Sequence, residues 1–452
     1  MHSLVPTTAA HRDAVWRVHR AAFSDIAEAS LGAGFEERMQ REFDEAFEPM
    51  QIRLVVEDEQ VLGFVHLQRE EGDRFLKTMA VVPAHQGRGL GAEVLRGLQA
   101  EAEAAGDSLT LSVYETNPAL RLYARQGFAR LGQDGIRIRM RWVPDAYSPP
   151  FEPGRWGWTH ARVTPVLEGE NELFRVDAEQ GSFAVRLYRA GRRTPAQVVA
   201  EWSWAEALAE RLPVVPAVPT PAGDLIVTVP DGRLAVAMPW VEGRTVRIDT
   251  PEQAERLGRL LGQLRGEADR VQAENWAPAF GHRPVYDPAS DVQVTLSAFE
   301  GETFARPEQV TALRALASRL LAALARLPLM ANAFVHADAH RWNLLDDGED
   351  WWLIDFDDCG FGPPESELAT IRTHLRAAGT FDQLRAGLMA GWGPHDPSRV
   401  ALAAACHVFA TIGEFPSHLD MGPLASDAQG TLDRYLSYCE AELAEGGIDG
   451  GV

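Results

Sequence analysis

Apolar and polar positions along the first 142 residues switch between helical and strand periods. His11–Phe23 and Phe35–Phe47 place apolar residues at three- and four-residue steps and read as amphipathic helices. Ile52–Glu57 and Val61–Gln68 read as strands joined at a turn near Asp58–Gln60, and Phe75–Val82 as a third strand. Gly91–Ala105 is again helical, with Val94, Leu95, Leu98 and Ala102 on one face. Leu109–Tyr114 is predicted as a strand, Pro118–Gln126 as a helix and Ile136–Trp142 as a strand. Residues 142–158, WVPDAYSPPFEPGRWGW, then break the pattern with Pro, Gly and aromatic residues, which marks a linker or a packed interdomain strap. Beyond it, Leu173–Val176 and Phe183–Tyr188 form an expected strand pair, Pro195–Leu212 a helix, and Leu225–Val229 and Leu234–Pro239 strands around Asp231–Gly232. After Gly243 the pattern is mainly helical, with short strands near 336–358. There is no internal repeat.

The length of 452 residues sets an expectation of two or three domains. Apolar content of 46% and charged content of 24% are those of a globular protein. The N-terminus has no apolar core of signal-peptide length. The most apolar stretch, Leu313–Leu329, is interrupted by Arg314, Arg319 and Arg326, so no membrane span is expected. Three scattered cysteines, Cys359, Cys406 and Cys439, argue for a reducing, cytoplasmic compartment rather than a disulfide framework. A net charge of −22 argues against nucleic-acid binding. Most of it lies beyond residue 144, which suits a cationic small-molecule substrate as well as plain solubility. Lys77 is the only lysine in the chain.

The segment FLKTMAVVPAHQGRGLGAEVL, 75–95, places a loop with Gly87, Gly89 and Gly91 between a strand and a helix. Glycines admit positive φ and close approach of a ligand to the backbone. Free N–H groups at a helix N-terminus then face an anion, of which a pyrophosphate is the natural example. NPALRLYARQGF follows at 117–128. With these motifs, residues 1–145 resemble the GNAT acetyltransferase family. The resemblance implies acetyl-CoA bound along Val81, Gln86, Gly87, Arg88, Gly89, Gly91 and Ala92, Asn117 against the pantetheine arm, and Tyr123 as the acid that protonates the departing thiolate. An amine acceptor must also lose a proton. Glu28, His66, Glu71, His85 and Glu115 are the candidates, and none stands out.

The segment FVHADAHRWNLLDDGEDWWLIDFDDCGFGPPESELA, 334–369, carries the second chemistry. A hairpin of Leu344–Leu345 and Trp351–Ile354 would bring Asn343 and Asp355 together. An amide oxygen with a carboxylate suits Mg²⁺ that also holds phosphates. Asp338, five residues before Asn343, can face a hydroxyl nucleophile and accept its proton. The pattern H-x-D-x-x-x-x-N followed by I-D-F-D resembles the aminoglycoside phosphotransferase and choline kinase-like family, relatives of the protein kinases. Its coverage is about residues 155–452. The resemblance implies ATP or GTP with Mg²⁺, Asp338 as catalytic base, and Asn343 and Asp355 as metal ligands. It also implies a nucleotide-covering turn in GENELFRV, 169–176, with Asn171, and a hinge at AVAMPWVEG, 235–243, with Met238 and Val241. Arg186 stands where kinases usually have lysine, with Glu201 as the acid that orients it. Arginine pairs phosphate bidentately and keeps its charge. Glu367 stands where the family usually has aspartate. His336 is expected to support the loop rather than bind metal, and Asp357 and Asp358 to orient the metal site or bind substrate.

The expected fold is therefore α/β and α+β: a GNAT-like mixed sheet with flanking helices, then a bilobal protein-kinase-like fold. The expected boundaries are 1–145, a linker at 146–158, an N-lobe at 159–242 and a helical C-lobe at 243–452. The expected function is a bifunctional transferase that phosphorylates a hydroxyl on a small, cationic, aminoglycoside-like substrate and N-acetylates from acetyl-CoA. The alternative is a metabolite or protein Ser/Thr kinase with a degenerate acetyl-CoA-binding regulatory domain.

Overall fold

The structure is a computed structural model that describes residues 2–31, 35–70, 72–134, 137–167, 171–273, 281–419 and 422–448. Gly169 and Glu170 of the expected nucleotide-covering turn, Glu71 and Ile136 lie outside the described residues. The chain forms two compact units: Met1–Ala190 with Thr220–Arg244, and Gly191–Pro219 with Thr245–Val452.

The first unit holds β1 (Ser3–Pro6), α1 (Arg12–Leu31), α2 (Phe35–Ala46), β2 (Ile52–Glu57), β3 (Gln60–Glu70), β4 (Asp73–Val81), α3 (Leu90–Ala105), β5 (Ser108–Tyr114), α4 (Leu120–Arg125), β6 (Ala129–Asp134) and β7 (Arg137–Trp142). The strands make one seven-stranded sheet in the order β1-β2-β3-β4-β5-β7-β6. Every pairing is antiparallel except β4 with β5. Two apolar clusters cover it. Val94, Leu95, Leu98 and Ala102 of α3, the face expected from the sequence, pack with Leu109, Leu111 and Met140. Val15, Val18 and Phe43 of α1 and α2 pack with Leu54, Phe64 and Ala80.

The same unit continues into a second sheet of β8 (Arg162–Leu167), β9 (Glu172–Ala178), β10 (Gly181–Leu187), β11 (Val227–Thr228) and β12 (Leu234–Pro239), in the order β11-β12-β10-β9-β8. The segment between the sheets is packed, not loose. Phe151, Trp156 and Trp158 are buried. Phe151 meets Phe174 edge-on at 5.3 Å, and Trp158 stacks on Phe183 at 4.3 Å. Arg175 Nη1 donates to the Arg130 carbonyl at 2.9 Å and Arg141 Nη1 to the Pro165 carbonyl at 3.0 Å, tying the second sheet to the first.

The second unit begins with α5 (Pro195–Ala209), capped at Thr194, whose hydroxyl accepts from Gln197 N at 3.3 Å while Gln197 Oε1 accepts from Thr194 N at 2.8 Å. After β13 (Arg244–Thr245) come α6 (Pro251–Ala273), α7 (Pro288–Ala298), α8 (Pro307–Arg326), β14 (Ala333–Val335), β15 (Leu344–Asp346), β16 (Trp351–Leu353), β17 (Gly360–Gly362), α9 (Ser366–Ala377), α10 (Phe381–Trp392), α11 (Pro397–Gly413) and α12 (Gly422–Glu445). Leu316 and Leu320 of α8, Leu402 and Phe409 of α11 and Leu432 of α12 share one core. α11 lies in the one stretch among the described residues long and apolar enough to cross a membrane by composition, and its apolar residues belong to this core. All three cysteines are buried and unbridged.

α6 and α10 pack backbone against backbone. A Cβ at Gly258 would lie 2.0 Å from the Leu388 carbonyl oxygen, and one at Gly391 would lie 2.1 Å from that of Glu255. Only glycine permits this approach. It seats α6 beneath the strands that carry the second candidate site.

Candidate active sites

The first site is a gap in the sheet. β4 and β5 pair in parallel only from Asp73↔Ser108 to Leu76↔Leu111, although β4 runs on to Val81 and β5 to Tyr114. The two strands part beyond Leu76. On the other edge of β4 the register passes from Leu67↔Leu76 to His66↔Thr78, which leaves Lys77 as the extra residue of a bulge. A cavity of about 1020 Å³ opens where the strands separate. Of the residues expected to hold acetyl-CoA, Val81, Gln86, Gly87, Gly89, Gly91, Ala92 and Asn117 line it; Arg88 does not. Tyr123 lines it too.

The glycines divide into two jobs. Gly87 and Gly89 adopt φ of 72° and 91°, and a Cβ on either would meet no protein atom within 4 Å. Their outer faces are open to a ligand, and Gly89 is the N-cap of α3, where N–H groups lack helical acceptors. Gly91 instead faces α4, because its Cβ would come within 3.2 Å of Leu122 Cδ2. Gln86 Nε2 donates to the Val81 carbonyl at 2.8 Å and so fastens the loop to the end of β4. Asn117 Oδ1 accepts from Ala119 N at 2.9 Å and starts the turn into α4. Burial pushes the Tyr123 phenol up to about 12, so it keeps its proton at neutral pH. A cavity with a glycine cradle of this shape fits a pyrophosphate-bearing thioester cofactor.

Among the expected bases, His66 lines the cavity and contacts Gln51 Oε1 through Nε2 at 3.2 Å. Burial, with Lys77 nearby, holds it down at about 4. His85 and Glu115 do not line the cavity, and Glu115 accepts from Gln133 Nε2 at 2.5 Å. Sequence reasoning missed His19, a lining residue whose buried Nδ1 has no hydrogen-bond partner and whose basicity burial lowers to about 4. It carried no motif and lies on a helix 60 residues or more from the glycine loop.

The second site lies in the second unit, on β14 to β17. The hairpin pairs Leu344↔Leu353 and Asp346↔Trp351. Ile354 N donates to the Asn343 carbonyl at 3.0 Å, which brings Asp355 beside Asn343. Asn343 Nδ2 donates both to the Asp338 carbonyl at 2.9 Å and to Asp338 Oδ2 at 2.8 Å. Both partners are acceptors, so the amide orientation is fixed and its Oδ1 is turned away from them. That oxygen and the Asp355 carboxylate are hard donors suited to Mg²⁺, which completes its shell from water and phosphates. Among the described residues no group of three or more His, Cys, Asp or Glu could hold a metal alone. Ala337 and Asp355, neither of them glycine, adopt left-handed φ of 68° and 66°, strain that recurs at functional loops.

Burial raises the Asp338 carboxyl to about 6; Asp358 and Asp355 add to the rise, and His340 and the Asn343 bond oppose it. His340 Nε2 lies 3.6 Å from Asp338 Oδ1. His336 is fully buried and bonds to the loop, its Nε2 to the Ile354 carbonyl at 3.1 Å and its N–H to Glu367 Oε1 at 2.5 Å. Burial carries Glu367 up to about 8, so it is largely neutral at pH 7. Beside Asp338, Trp342 is half exposed and meets His340 and His374 edge-on at 5.5 and 5.4 Å.

The acidic turn is braced by arginines that no motif announced. Arg193 Nε donates to Asp357 Oδ1 at 3.0 Å and its Nη2 to Asp358 Oδ1 at 2.8 Å; Arg192 Nε donates to Asp357 Oδ2 at 3.2 Å. Arg283 donates to the carbonyls of Cys359, at 2.7 Å, and of Asp357. Both oxygens of the Asp357 carboxylate are engaged by arginines, so its part is to hold the turn. Glu201 is fully buried and lies 3.8 Å from Arg283. In the first unit, Arg186 is buried on β10 opposite Val236, its guanidinium 5.9 Å from the Tyr188 ring. Asn171 Oδ1 accepts from Arg189 N at 3.3 Å, and Met238 pairs with Ala184. Val241 follows β12 directly, after Trp240, whose N–H bonds the Ser182 carbonyl at 3.0 Å.

Residues 162–403 match the phosphotransferase enzyme family, more than half of the chain. The chain belongs to that family. Residues 21–147 match the acetyltransferase (GNAT) domain, so the phosphotransferase follows an N-terminal GNAT domain. Stress response kinase A of Shigella flexneri is 28% identical over 211 residues, 46% of this chain and 61% of the relative. The chain thus spans about three fifths of the length of the curated relatives it matches. An amicoumacin kinase solved with AMP-PNP and Ca²⁺ has the same fold, with a TM-score of 0.52 and 18% identity over 65% of this chain and 90% of that one. A microcompartment-associated aminopropanol kinase matches with a TM-score of 0.50 and 20% identity over 65% of this chain and 96% of that one.

Proposed function

We propose that the phosphotransferase domain moves the γ-phosphoryl group of ATP or GTP to a hydroxyl of a small molecule, and that the GNAT domain acetylates an amine from acetyl-CoA. The observation that carries the first half is the pair of hydrogen bonds that Asn343 Nδ2 donates to Asp338. These bonds hold the two side chains in one turn, which supports Asp338 as the base and Asn343 Oδ1 as a metal-facing oxygen. The acceptor oxygen attacks the γ-phosphorus, the bond to the β-γ bridging oxygen breaks, and Asp338 takes the hydroxyl proton. Mg²⁺, when bound by Asn343 Oδ1 and Asp355, neutralises charge on the phosphates. Asn171, Arg186, Met238 and Val241, all in the first unit, are the proposed nucleotide contacts. In the GNAT domain the glycine loop receives the pyrophosphate, and Tyr123 supplies a proton to the leaving thiolate. The likeness to the aminopropanol kinase supports a small acceptor that carries both amine and hydroxyl groups.

A second reading, supported by the likeness to stress response kinase A, is a protein or metabolite kinase whose GNAT domain only binds its cofactor. One screen separates them. The full chain is incubated with a panel of amino alcohols, aminoglycosides and a Ser/Thr peptide library, and ADP or GDP release and CoA release are read in parallel. Release of both products with small molecules supports the first reading. Nucleotide turnover with peptides alone, and no CoA release with any amine, supports the second.

A further inference from the structure

The GNAT cavity extends past the glycine loop to the α1/α2 side of the sheet, and its chemistry changes there. Phe23, Phe43, Phe47 and Phe64 line it, with His19 among them. The His19 ring lies 5.0 Å from Phe23, 5.5 Å from Phe43 and 6.2 Å from Phe64, the last nearly parallel; Phe43 lies 5.5 Å from Phe47. The walls are flat, apolar rings. Among them lies His19, whose buried Nδ1 has no hydrogen-bond partner, whereas His66, which lines the same cavity, is in contact with Gln51 Oε1. Among the described lining residues Glu42 is the sole acid, against Lys77, Arg125 and Arg137. Glu42 is half exposed and accepts from Arg38 Nε at 2.7 Å. Such a cavity repels a polycation: each added ammonium group would meet an excess of positive charge or an apolar wall.

We infer that the acyl acceptor of the GNAT domain is a primary amine carried on a single aromatic or similarly flat apolar body, held among Phe23, Phe43, Phe47 and Phe64 with its nitrogen toward His19. This rests on the reading of the domain as an acetyltransferase and names its substrate class. The pocket also accounts for the absence of an evident general base among the described lining residues. Leaving water disfavours the ammonium form, so the amine enters as its neutral nucleophile and its proton goes to solvent. His19, kept neutral by burial, accepts a hydrogen bond from the amine N–H and orients the lone pair. The amine nitrogen then bonds to the thioester carbonyl carbon, the carbon–sulfur bond breaks, and the CoA thiolate takes a proton from Tyr123. The nitrogen's remaining extra proton passes to water, and Tyr123 is reprotonated from solvent. Aminoglycosides are thereby excluded as acetyl acceptors, whichever hydroxyl the phosphotransferase domain uses.

The test uses the full chain. Calorimetry first measures acetyl-CoA binding, then 2-phenylethylamine binding without cofactor. CoA release is next compared for 2-phenylethylamine, spermidine and kanamycin. The expected result is saturable binding of 2-phenylethylamine and a kcat/KM at least about tenfold above the other two, the scale of one aromatic contact. Phe23→Ala, at a half-buried position, should weaken 2-phenylethylamine binding by about tenfold and leave acetyl-CoA binding unchanged. Phe47→Ala serves if that variant does not fold. Preferential acetylation of spermidine or kanamycin overturns the inference while the acetyltransferase reading stands. Acetyl-CoA binding without 2-phenylethylamine binding does the same. No acetyl-CoA binding by the folded chain overturns both.

Discussion

The two candidate sites are built on opposite principles. In the phosphotransferase loop the motif residues bond to one another: Asn343 to Asp338, His336 to Ile354, and Glu367 to His336. The chemistry sits in side chains, and the network sets their angles. In the GNAT domain the motif residues mostly create absence. Gly87 and Gly89 have open space where a side chain would be, and the parting of β4 from β5 leaves a cavity. There the proposed binding group is the backbone. A network of side chains should fail steeply when one member changes, whereas a backbone cradle should fail only when something fills or bends it.

The largest effect is expected at Asp338. Asp338→Asn keeps an acceptor for Asn343 Nδ2 but removes the proposed base, and should lower nucleotide turnover by roughly 10²–10⁴-fold. Coupled ADP release measures this, and acetyl-CoA calorimetry on the same sample should be unchanged. A loss of both would mean that the two sites are not independent.

Next comes the helix pair beneath the loop. Gly258→Ala forces a Cβ against the Leu388 carbonyl oxygen, which neither backbone can evade cheaply. A destabilisation of about 3 kcal/mol is expected from urea unfolding. Gly266→Ala, on the same helix with nothing within 4 Å of its Cβ, should be neutral or stabilising. Equal behaviour of the two variants would contradict the packing.

The cradle should give a smaller change. Gly89→Val puts a branched side chain at φ 91° and into the open face of the loop. Acetyl-CoA affinity should fall by about tenfold or more, since the strained residue alone costs roughly 1–2 kcal/mol. Nucleotide turnover should not move.

The smallest effect concerns Glu367. Its folded-state value of about 8 lies above the ordinary 4.5. The neutral form is favoured in the fold, so its stabilising contribution is complete below pH 4.5 and is lost as pH rises through 8. Glu367→Gln keeps an acceptor for the His336 N–H and removes the ionisation. The variant should melt a few degrees above the parent at pH 8 and close to it at pH 5. An equal difference at both pH values would show that Glu367 does not titrate in this range.

The same contrast explains what was legible in the sequence. Strands inside the sheets announced themselves: Ile52–Glu57 and Leu234–Pro239 have the boundaries their alternation predicts. In the two large sheets the unpredicted strands, β1, β6 and β8, lie at the edges. They contain Pro6, Gly132 and Pro165, which read as loop signals, and an edge tolerates them because one side needs no partner. The register slips beside Gly132 and Pro165 in keeping with this. At the sites, the side-chain motif was readable because its members are close in sequence. Arg192, Arg193 and Arg283 were not, because they reach the acidic turn from 73 to 165 residues away. Nor was the aromatic pocket around His19, whose rings follow the periodicity of ordinary core residues. The two jobs of Gly89 and Gly91 separate only once α4 is in place.

The central claim is that Asn343 and Asp355 form a phosphate-metal site beside Asp338, independent of the GNAT cavity. Asp355→Ala tests it most directly, because it removes one oxygen donor and leaves the Asn343–Asp338 bonds in place. Mg²⁺-dependent nucleotide turnover by the full chain is measured for parent and variant, with acetyl-CoA calorimetry as the control for folding. The account predicts that turnover falls to the level seen with chelator while acetyl-CoA binding is unchanged. Turnover that persists in the variant, with the same dependence on Mg²⁺, would contradict it.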